Sequence, residues 1–178
     1  MSHLIKIIIL ILSASFGLSV HAATIVVDGG TSTVATDSVC SIREAIENAN
    51  DDATTNTDCV AGSGTDTIDI QTDIVLTTVD HSAGSDFAVP SITGALIING
   101  NGHSITRSGV ISFGLTDFFA ALTISELTVS DFSQIVLKGD GPVDITDSVF
   151  SNNSEAVLYT DFGGSAHPWS ITDSEFLD

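Results

Sequence analysis

Large apolar residues recur with a long, regular period in the C-terminal half of the chain. Ile98, Ile124, Ile145 and Ile171 follow one another at steps of 26, 21 and 26 residues. A mean period of about 24 residues is typical of solenoid repeats. The runs around them are short, rich in Ile, Val, Thr and Phe, and separated by Gly, Asn and Asp. Such runs predict strands, and the pattern favours an all-β fold, a parallel β-helix.

A second apolar position follows each isoleucine after five residues. It is occupied by Val129, Phe150 and Phe176 in the later repeats. An ungapped register puts His103 at this position after Ile98, which predicts a partly buried, hydrogen-bonded structural histidine. The glycines between them could instead shift His103 outward, and a catalytic role is the remaining alternative.

The strongest helical pattern of the chain lies near residue 45. Ser41 is a predicted N-cap, and Glu44 completes a capping box with it. The apolar residues recur at helical spacing and form one stripe that needs an apolar surface to cover: Ile42, Ala45, Ile46 and Ala49. Asn50-Asp51-Asp52 is expected to end this helix.

The first residues indicate export. Residues 1–22 combine Lys6, an apolar run and a small-x-small pattern at Val20-His21-Ala22, as in a secretory signal peptide. A retained N-terminal anchor is the alternative. We expect the mature chain to comprise an N-terminal cap at 23–64 and coils at 65–178, truncated or open at the C-terminus.

The charge of the chain narrows the range of possible partners. All 23 acidic residues lie beyond residue 22, where only Arg43, Arg107 and Lys138 oppose them. The resulting negative electrostatic field disfavours binding to nucleic acid and to anionic membrane surfaces. A saline habitat would also explain the high negative charge.

Cys40 and Cys59 are predicted to form a disulfide in an oxidising compartment. Such a bridge would stabilise the folded state by about 3 kcal/mol.

Several motifs resemble a known family. Cys40-Ser41-Ile42-Arg43-Glu44-Ala45-Ile46, followed by Asn48-Ala49-Asn50, resembles the CSLREA-type N-terminal region of bacterial right-handed β-helix proteins, with Ile42 where leucine is usual. Further matching pieces lie at 59–62, 66–68, 90–93, 97–102 and 105–107. The resemblance spans about residues 24–109, and the coils beyond it are generic for the pectin-lyase-like superfold. It implies a secreted or surface protein without an agreed activity, and a helix that covers the open end of the coils.

The candidate chemistry is sparse. Arg43 is expected on the helix surface near Glu47, Lys138 in a solvated turn, and Arg107 as a link to a neighbouring coil or carboxylate. His81, with Asp80 and Asp86 nearby, is a weak metal pair. Trp169 is predicted to lie in the core, with a sugar-stacking platform as the alternative.

No cofactor is predicted beyond weak binding of Ca²⁺. The carboxylates considered for it are two sets of strand and turn residues, more often solvated than ligating: Asp66, Asp69 and Asp73, then Asp144, Asp147, Asp173 and Glu175. The sequence contains neither a D-x-D-x-D-G calcium loop nor a Gly-Gly-x-Gly-x-Asp nonapeptide.

Two functional classes remain. The first is a non-enzymatic module of a secreted or surface protein, adhesin-like or structural, with a carbohydrate or protein ligand at the cell surface. The second is a fragment of a polysaccharide lyase or glycoside hydrolase. A groove that holds Arg or Lys among carboxylates would favour the enzyme class. A flat surface of acidic residues and threonines would favour the non-enzymatic module. An open terminal coil predicts fraying or self-association.

Overall fold

The structure is a computed structural model that describes residues 21–160 and 168–178. Within these ranges the chain is nearly all-β, with one short helix. In chain order the elements are β1 (Thr24–Val27), α1 (Ile42–Asp51), β2 (Asp66–Ile70), β3 (Ile74–Leu76), β4 (His81–Ser82), β5 (Asp86–Phe87), β6 (Leu96–Asn99), β7 (Ser104–Arg107), β8 (Thr116–Phe118), β9 (Leu122–Ser125), β10 (Thr128–Ser130), β11 (Leu137–Gly139), β12 (Val143–Thr146), β13 (Val149–Ser151), β14 (Leu158–Tyr159), β15 (Trp169–Thr172) and β16 (Glu175–Leu177).

Three parallel sheets contain all of these strands except one short hairpin. The first sheet has the order β1-β2-β6-β9-β12-β15, the second β16-β13-β10-β7-β3, and the third β14-β11-β8, while β4 and β5 pair antiparallel. From β6 to β14 the chain visits the three sheets in the same order three times. We call one such pass a coil. This arrangement is compatible with a parallel β-helix.

The predicted isoleucine repeat is the inner row of the first sheet. Ile98, Ile124, Ile145 and Ile171 are direct cross-strand partners in successive coils, and Ile68 and Ile25 extend the row in the other direction. All except Ile171 are buried. Successive residues of a strand point to opposite faces of the sheet. One apolar residue at the equivalent position of each repeat therefore produces a continuous apolar row on the inner face.

The ungapped register is wrong at the first bend. Val129 pairs with Ile105, and His103 lies two residues earlier on a bend. The Asn-Gly-Asn-Gly segment at 99–102 lengthens this bend relative to the later coils and moves His103 outward, which was the alternative expectation. At the bend between the first and second sheets, one residue in each coil has left-handed backbone geometry: Asn101, Glu126, Asp147 and Asp173.

The helix covers the sheets at the end where β1 lies. All four residues of its apolar stripe are buried, and α1 contacts β1 and β2. Ser41 and Glu44 form the capping box, and Asp52 ends the helix in the left-handed region. The predicted Cys40–Cys59 disulfide is formed. Residues 24–27 lie within the predicted N-terminal cap at 23–64, and in the structure they pair with β2 in the first sheet.

Within the described ranges, no helix is long and apolar enough to cross a bilayer.

Candidate functional site

Arg43 is held by the chain instead of lying free on the helix surface. Its guanidinium donates to the carbonyl oxygens of Ala88 and Thr78, each at 2.8 Å, and lies 3.6 Å from an Asp80 carboxylate oxygen. The expected partner Glu47 instead accepts a hydrogen bond from Asn56. Arg43 therefore ties the helix to the segment that carries the β4–β5 hairpin.

Lys138 also differs from the expectation of a solvated turn. It belongs to β11, and its ammonium donates to the carbonyl oxygen of Ala83 at 2.8 Å. Strand pairing places it beside Asp117 and Tyr159 on the outer face of the third sheet. The Lys-Gly-Asp-Gly sequence had suggested a turn, because glycine and aspartate are rare inside strands.

Arg107 is a structural link, as expected. Its side chain donates to the carbonyl oxygen of Asp131 in the next coil and to those of Gly109 and Ile111. The guanidinium carbon also lies 5.9 Å from the centre of the Phe113 ring. These contacts engage Arg107 with the backbone.

His81 lies at the centre of a polar network between the hairpin and the third sheet. Its Nδ1 lies 3.1 Å from Asp80, and its Nε2 lies 2.8 Å from Asp117 Oδ1 and 3.0 Å from Ser91 Oγ. Asp86, the second predicted neighbour, is not a partner, because its carboxylate accepts a hydrogen bond from Ser82. We call Asp80, His81, Ser91 and Asp117 the histidine clamp.

Ser91 is one member of the clamp that the sequence did not reveal, and Asp117 is the other. Asp117 lies on the outward side of β8, yet it is only 4% exposed because the hairpin segment covers it. A single aspartate within the apolar run 113–119 was the available signal, since an isolated carboxylate among buried residues needs a partner.

The clamp contains serine, histidine and aspartate, but its geometry is that of a structural tie. A serine nucleophile needs a histidine nitrogen that is free to accept its proton. Here Asp117 Oδ1 is closer to Nε2 than the Ser91 hydroxyl is. Each ring nitrogen faces a carboxylate oxygen, Nδ1 that of Asp80 and Nε2 that of Asp117. The contacts thus join the hairpin to β8 and do not prepare Ser91 for attack.

A cavity of about 250 Å³ opens beside the clamp. Asp117 forms part of its wall together with residues of β11 and the adjoining loops: Ala83, Phe119, Lys138, Gly139 and Asp140. Phe119 is more than half exposed. The cavity is bordered on one side by the hairpin and on the other by the outer face of the third sheet, and it combines an aromatic ring, carboxylates and an ammonium group.

The carboxylates considered for calcium occupy separate places. Buried Asp66 accepts hydrogen bonds from the backbone nitrogens of Ala23 and Ser63. Asp69 accepts from Asn99 and Asn101, and Asp73 accepts from Ser104. In the part of the chain that is described, no group of three His, Cys, Asp or Glu residues is arranged to hold a metal ion.

The repeated carboxylates of the later coils also face different neighbours. Asp144 pairs with Thr123 and Ser170, and Glu175 with Val149. Asp147 and Asp173 lie at equivalent bends of neighbouring coils, both exposed to solvent. These positions are solvated surface in the structure.

His103 and Trp169 are both exposed in part. His103 Nδ1 lies 3.5 Å from an Asp73 carboxylate oxygen. Trp169 pairs with Val143 but remains 41% exposed, so the prediction that it belongs to the core is wrong. It occupies an inward parity on β15, the last strand in the order of the first sheet, where no further described strand covers it.

Comparisons with protein families, with curated proteins and with solved structures find no match for this chain.

The outer face of the first sheet is a regular polar surface. Two rows of side chains cross it, one residue from each strand in each row. The first row is Thr24, Thr67, Ile97, Thr123, Asp144 and Ser170, and the second is Val26, Asp69, Asn99, Ser125, Thr146 and Thr172. We call these twelve residues the polar face. Neighbouring strands of a sheet are about 4.8 Å apart, so each row repeats at this spacing.

Proposed function

We propose that this protein is an exported, acidic module of the right-handed parallel β-helix type, with an adhesin-like binding or structural role and no catalytic activity. Its ligand is a carbohydrate or a protein of a cell surface. The motifs at 40–50 and their successors support assignment to the CSLREA-type N-terminal region, with α1 as the cover of the first coil. Residues 1–22 support export, and the disulfide fits an oxidising compartment.

The polar face is the observation that carries the binding role. Ten of its twelve side chains bear a hydroxyl, carboxylate or amide group, and the two exceptions are Val26 and Ile97. Lys and Arg are absent from these twelve positions. Repeated polar groups on a rigid sheet can bind an extended ligand at several points, each contributing little alone.

The side chains of the polar face support the non-enzymatic module. Its carboxylates belong to Asp69 and Asp144, and its hydroxyls come from threonine and serine in five of the six strands. The hydroxyl groups both donate and accept hydrogen bonds, whereas the ionised carboxylates only accept them. A hydroxyl-rich or amide-rich ligand suits this surface better than an anionic one.

The enzyme alternative has one supporting observation. Lys138 lines a cavity that also holds Asp117 and Asp140, which is a cation among carboxylates. Against it, the Lys138 ammonium is bound to the Ala83 carbonyl oxygen and Asp117 is bound by His81. A lyase needs a base that is free to take a proton from its substrate. These contacts favour a binding role for the cavity.

The polar face is tested by a paired substitution. We expect Thr123→Arg with Thr146→Arg to reduce retention of the purified protein about tenfold, because two bulky cations block neighbouring coils of the face. Retention is measured on immobilised cellulose, chitin and dextran and on fixed bacterial cells. Thr54→Arg with Thr77→Arg is the matched control, because both threonines are exposed and lie outside the face.

Two outcomes would contradict the proposal. One is equal retention of the two double variants, or no retention of the unsubstituted protein on any matrix or cell. The other is unsaturated product, followed by absorbance, when the protein is incubated with polygalacturonate. The second outcome would favour the lyase alternative.

A further inference from the structure

We infer that the cavity beside the histidine clamp is a binding site for one saccharide ring, neutral or amino-substituted. This inference rests on the binding role proposed above and assigns a ligand class to a site distinct from the polar face. The cavity is lined by Asp117, Phe119, Lys138 and Asp140 with Ala83 and Gly139. Its volume of about 250 Å³ is below the range of sites for drug-sized ligands, which suits a single sugar unit.

Asp117 presents one carboxylate oxygen to the cavity. Its Oδ1 is engaged by His81, and among the described residues no hydrogen bond reaches Oδ2. No buried side-chain oxygen in the described structure lacks a partner. Oδ2 is therefore accessible from the cavity, although the residue as a whole is buried. A largely buried carboxylate gains from a hydroxyl donor, because few water molecules can reach it.

Lys138 supplies donors to the same space. An ammonium group has three N–H donors, and the described structure uses one of them, toward the Ala83 carbonyl oxygen. No ion pair between Lys138 and a carboxylate occurs in the described ranges, although strand pairing places Asp117 beside it. The cavity wall therefore offers acceptors and donors side by side, which a hydroxyl group can use together.

Phe119 provides an apolar surface at the cavity wall. Phe118 is fully buried, whereas the neighbouring Phe119 is 57% exposed. A sugar ring has a face of C–H groups that packs on an aromatic ring, while its hydroxyls point sideways to polar groups. Ligand sites commonly combine such an aromatic surface with a few convergent polar groups. The exposed ring is thus matched to the polar wall.

The charges of the site select among small ligands. Two carboxylates and one ammonium favour a neutral or singly cationic ligand. The protein carries a formal net charge of −19, so its field disfavours uronic acids and other anions. A simple cation would be attracted by the carboxylates but would meet Lys138. A hydroxylated ring satisfies both kinds of group without a charge conflict.

The test is a titration of the purified protein followed by amide chemical shifts. The probes are methyl glucoside, methyl mannoside, glucosamine, galacturonic acid and choline. We expect saturable shifts at Phe119, Lys138 and Asp140 with at least one of the first three probes. Phe119→Ala should weaken that binding about tenfold, as the loss of an aromatic contact implies. Asp140→Ala should weaken it to a smaller extent.

Phe176→Ala is the matched control, because it removes another partly exposed phenylalanine ring outside the cavity and should leave the affinity unchanged. The absence of cavity shifts with all three sugars would overturn the inference, as would binding of choline or galacturonic acid alone. An equal effect of Phe119→Ala and Phe176→Ala would do the same. Sugar binding at the cavity with no effect of the polar-face substitutions on retention would instead contradict only the proposed function of the face.

Discussion

Asp73 shows how a single exposed carboxylate can report on the contact between two coils. Its Oδ1 accepts hydrogen bonds from the backbone nitrogen of Ser104 at 2.8 Å and from the Ser104 hydroxyl at 3.0 Å. The backbone hydrogen bond lowers the pKa of Asp73 most, followed by the hydroxyl. Partial desolvation opposes them, and the nearby His103 adds to the lowering. The carboxylate thus joins the loop before β3 to the start of β7.

The Ser104 hydroxyl can be removed to test this contact. We expect the pKa of Asp73 to lie below its ordinary value of 3.8 and to rise toward that value in Ser104→Ala. The backbone hydrogen bond remains in the variant, so the recovery should be partial. A carboxyl-carbon NMR titration measures both values. Ser108→Ala is the control, because Ser108 is exposed and no described hydrogen bond joins its side chain to Asp73.

The sign of the stability effect follows from the lowered pKa. A carboxylate with a lower pKa in the folded state stabilises that state above the unfolded pKa, and the effect is lost as the pH falls through the folded pKa. The difference in unfolding free energy between the protein and Asp73→Asn should therefore shrink on acidification through this window. Identical Asp73 titrations in the protein and in Ser104→Ala would contradict the assignment.

Residue spacing in the sequence revealed the hydrogen-bond partners at the start of the helix. Ser41 and Glu44 are three residues apart, so their capping box was predictable from the helix geometry. Buried Asn48 was not identified, although its amide donates to carbonyl oxygens of the 56–60 loop and accepts from the Asn56 nitrogen. Those partners depend on the path of a loop closed by the disulfide, which spacing alone does not define.

At the scale of elements, the sequence predicted strands better than bends. The isoleucine rows were predictable because one buried position per repeat survives changes of loop length. His103 was misplaced because an ungapped count does not register the longer bend at 99–102. The hairpin β4–β5 and its clamp were missed, since His81 and Asp117 are 36 residues apart. Contacts between coils can be predicted only after the register of the coils is known.

Glycine at coil contacts is a feature of elements that can be tested. A β-carbon at Gly114 would meet the Ile135 carbonyl oxygen of the next coil at a distance that no real contact shows, and it would crowd the Phe87 ring. We expect Gly114→Ala to lower the free energy of unfolding by about 1–3 kcal/mol, because the coils must shift apart. Chemical denaturation measures this value.

Gly94→Ala is the matched control for that substitution. No atom lies within 4 Å of a β-carbon built there, and its backbone does not have a positive φ. The free energy of unfolding of Gly94→Ala should change little or rise slightly, because alanine restricts the conformations of the unfolded chain. Equal effects of the two substitutions would show that contact between coils does not explain the glycine at 114.

At the scale of the whole molecule, apolar side chains are covered unequally along the stack. Ile25 to Ile145 are buried in the inner row of the first sheet, whereas Ile171 is 43% exposed. Phe176 stacks on Phe150 with ring centres 5.2 Å apart, yet Phe150 is buried and Phe176 is 45% exposed. Within the described residues, β15 and β16 each pair with a strand on one side only.

This unequal cover predicts how the molecule opens. A terminal strand has fewer neighbours and an unpaired edge, so it exchanges its amide hydrogens sooner and can pair with another chain. We expect amides of residues 171–176 to exchange faster than those of 145–150. We also expect light scattering to rise with protein concentration, and to rise further in salt, which screens the repulsion between chains of net charge −19.

Ile171→Thr separates the two consequences. It replaces an exposed apolar residue with a polar one of high strand propensity, so it should reduce association while leaving exchange at 145–150 unchanged. Thr128→Val is a control that adds apolar surface to a half-buried position in the second sheet, away from β15. Equal protection of the two segments in a protein that remains monomeric at all concentrations would contradict the prediction. It would mean that the side chains of β15 and β16 are covered in solution by parts of the same chain.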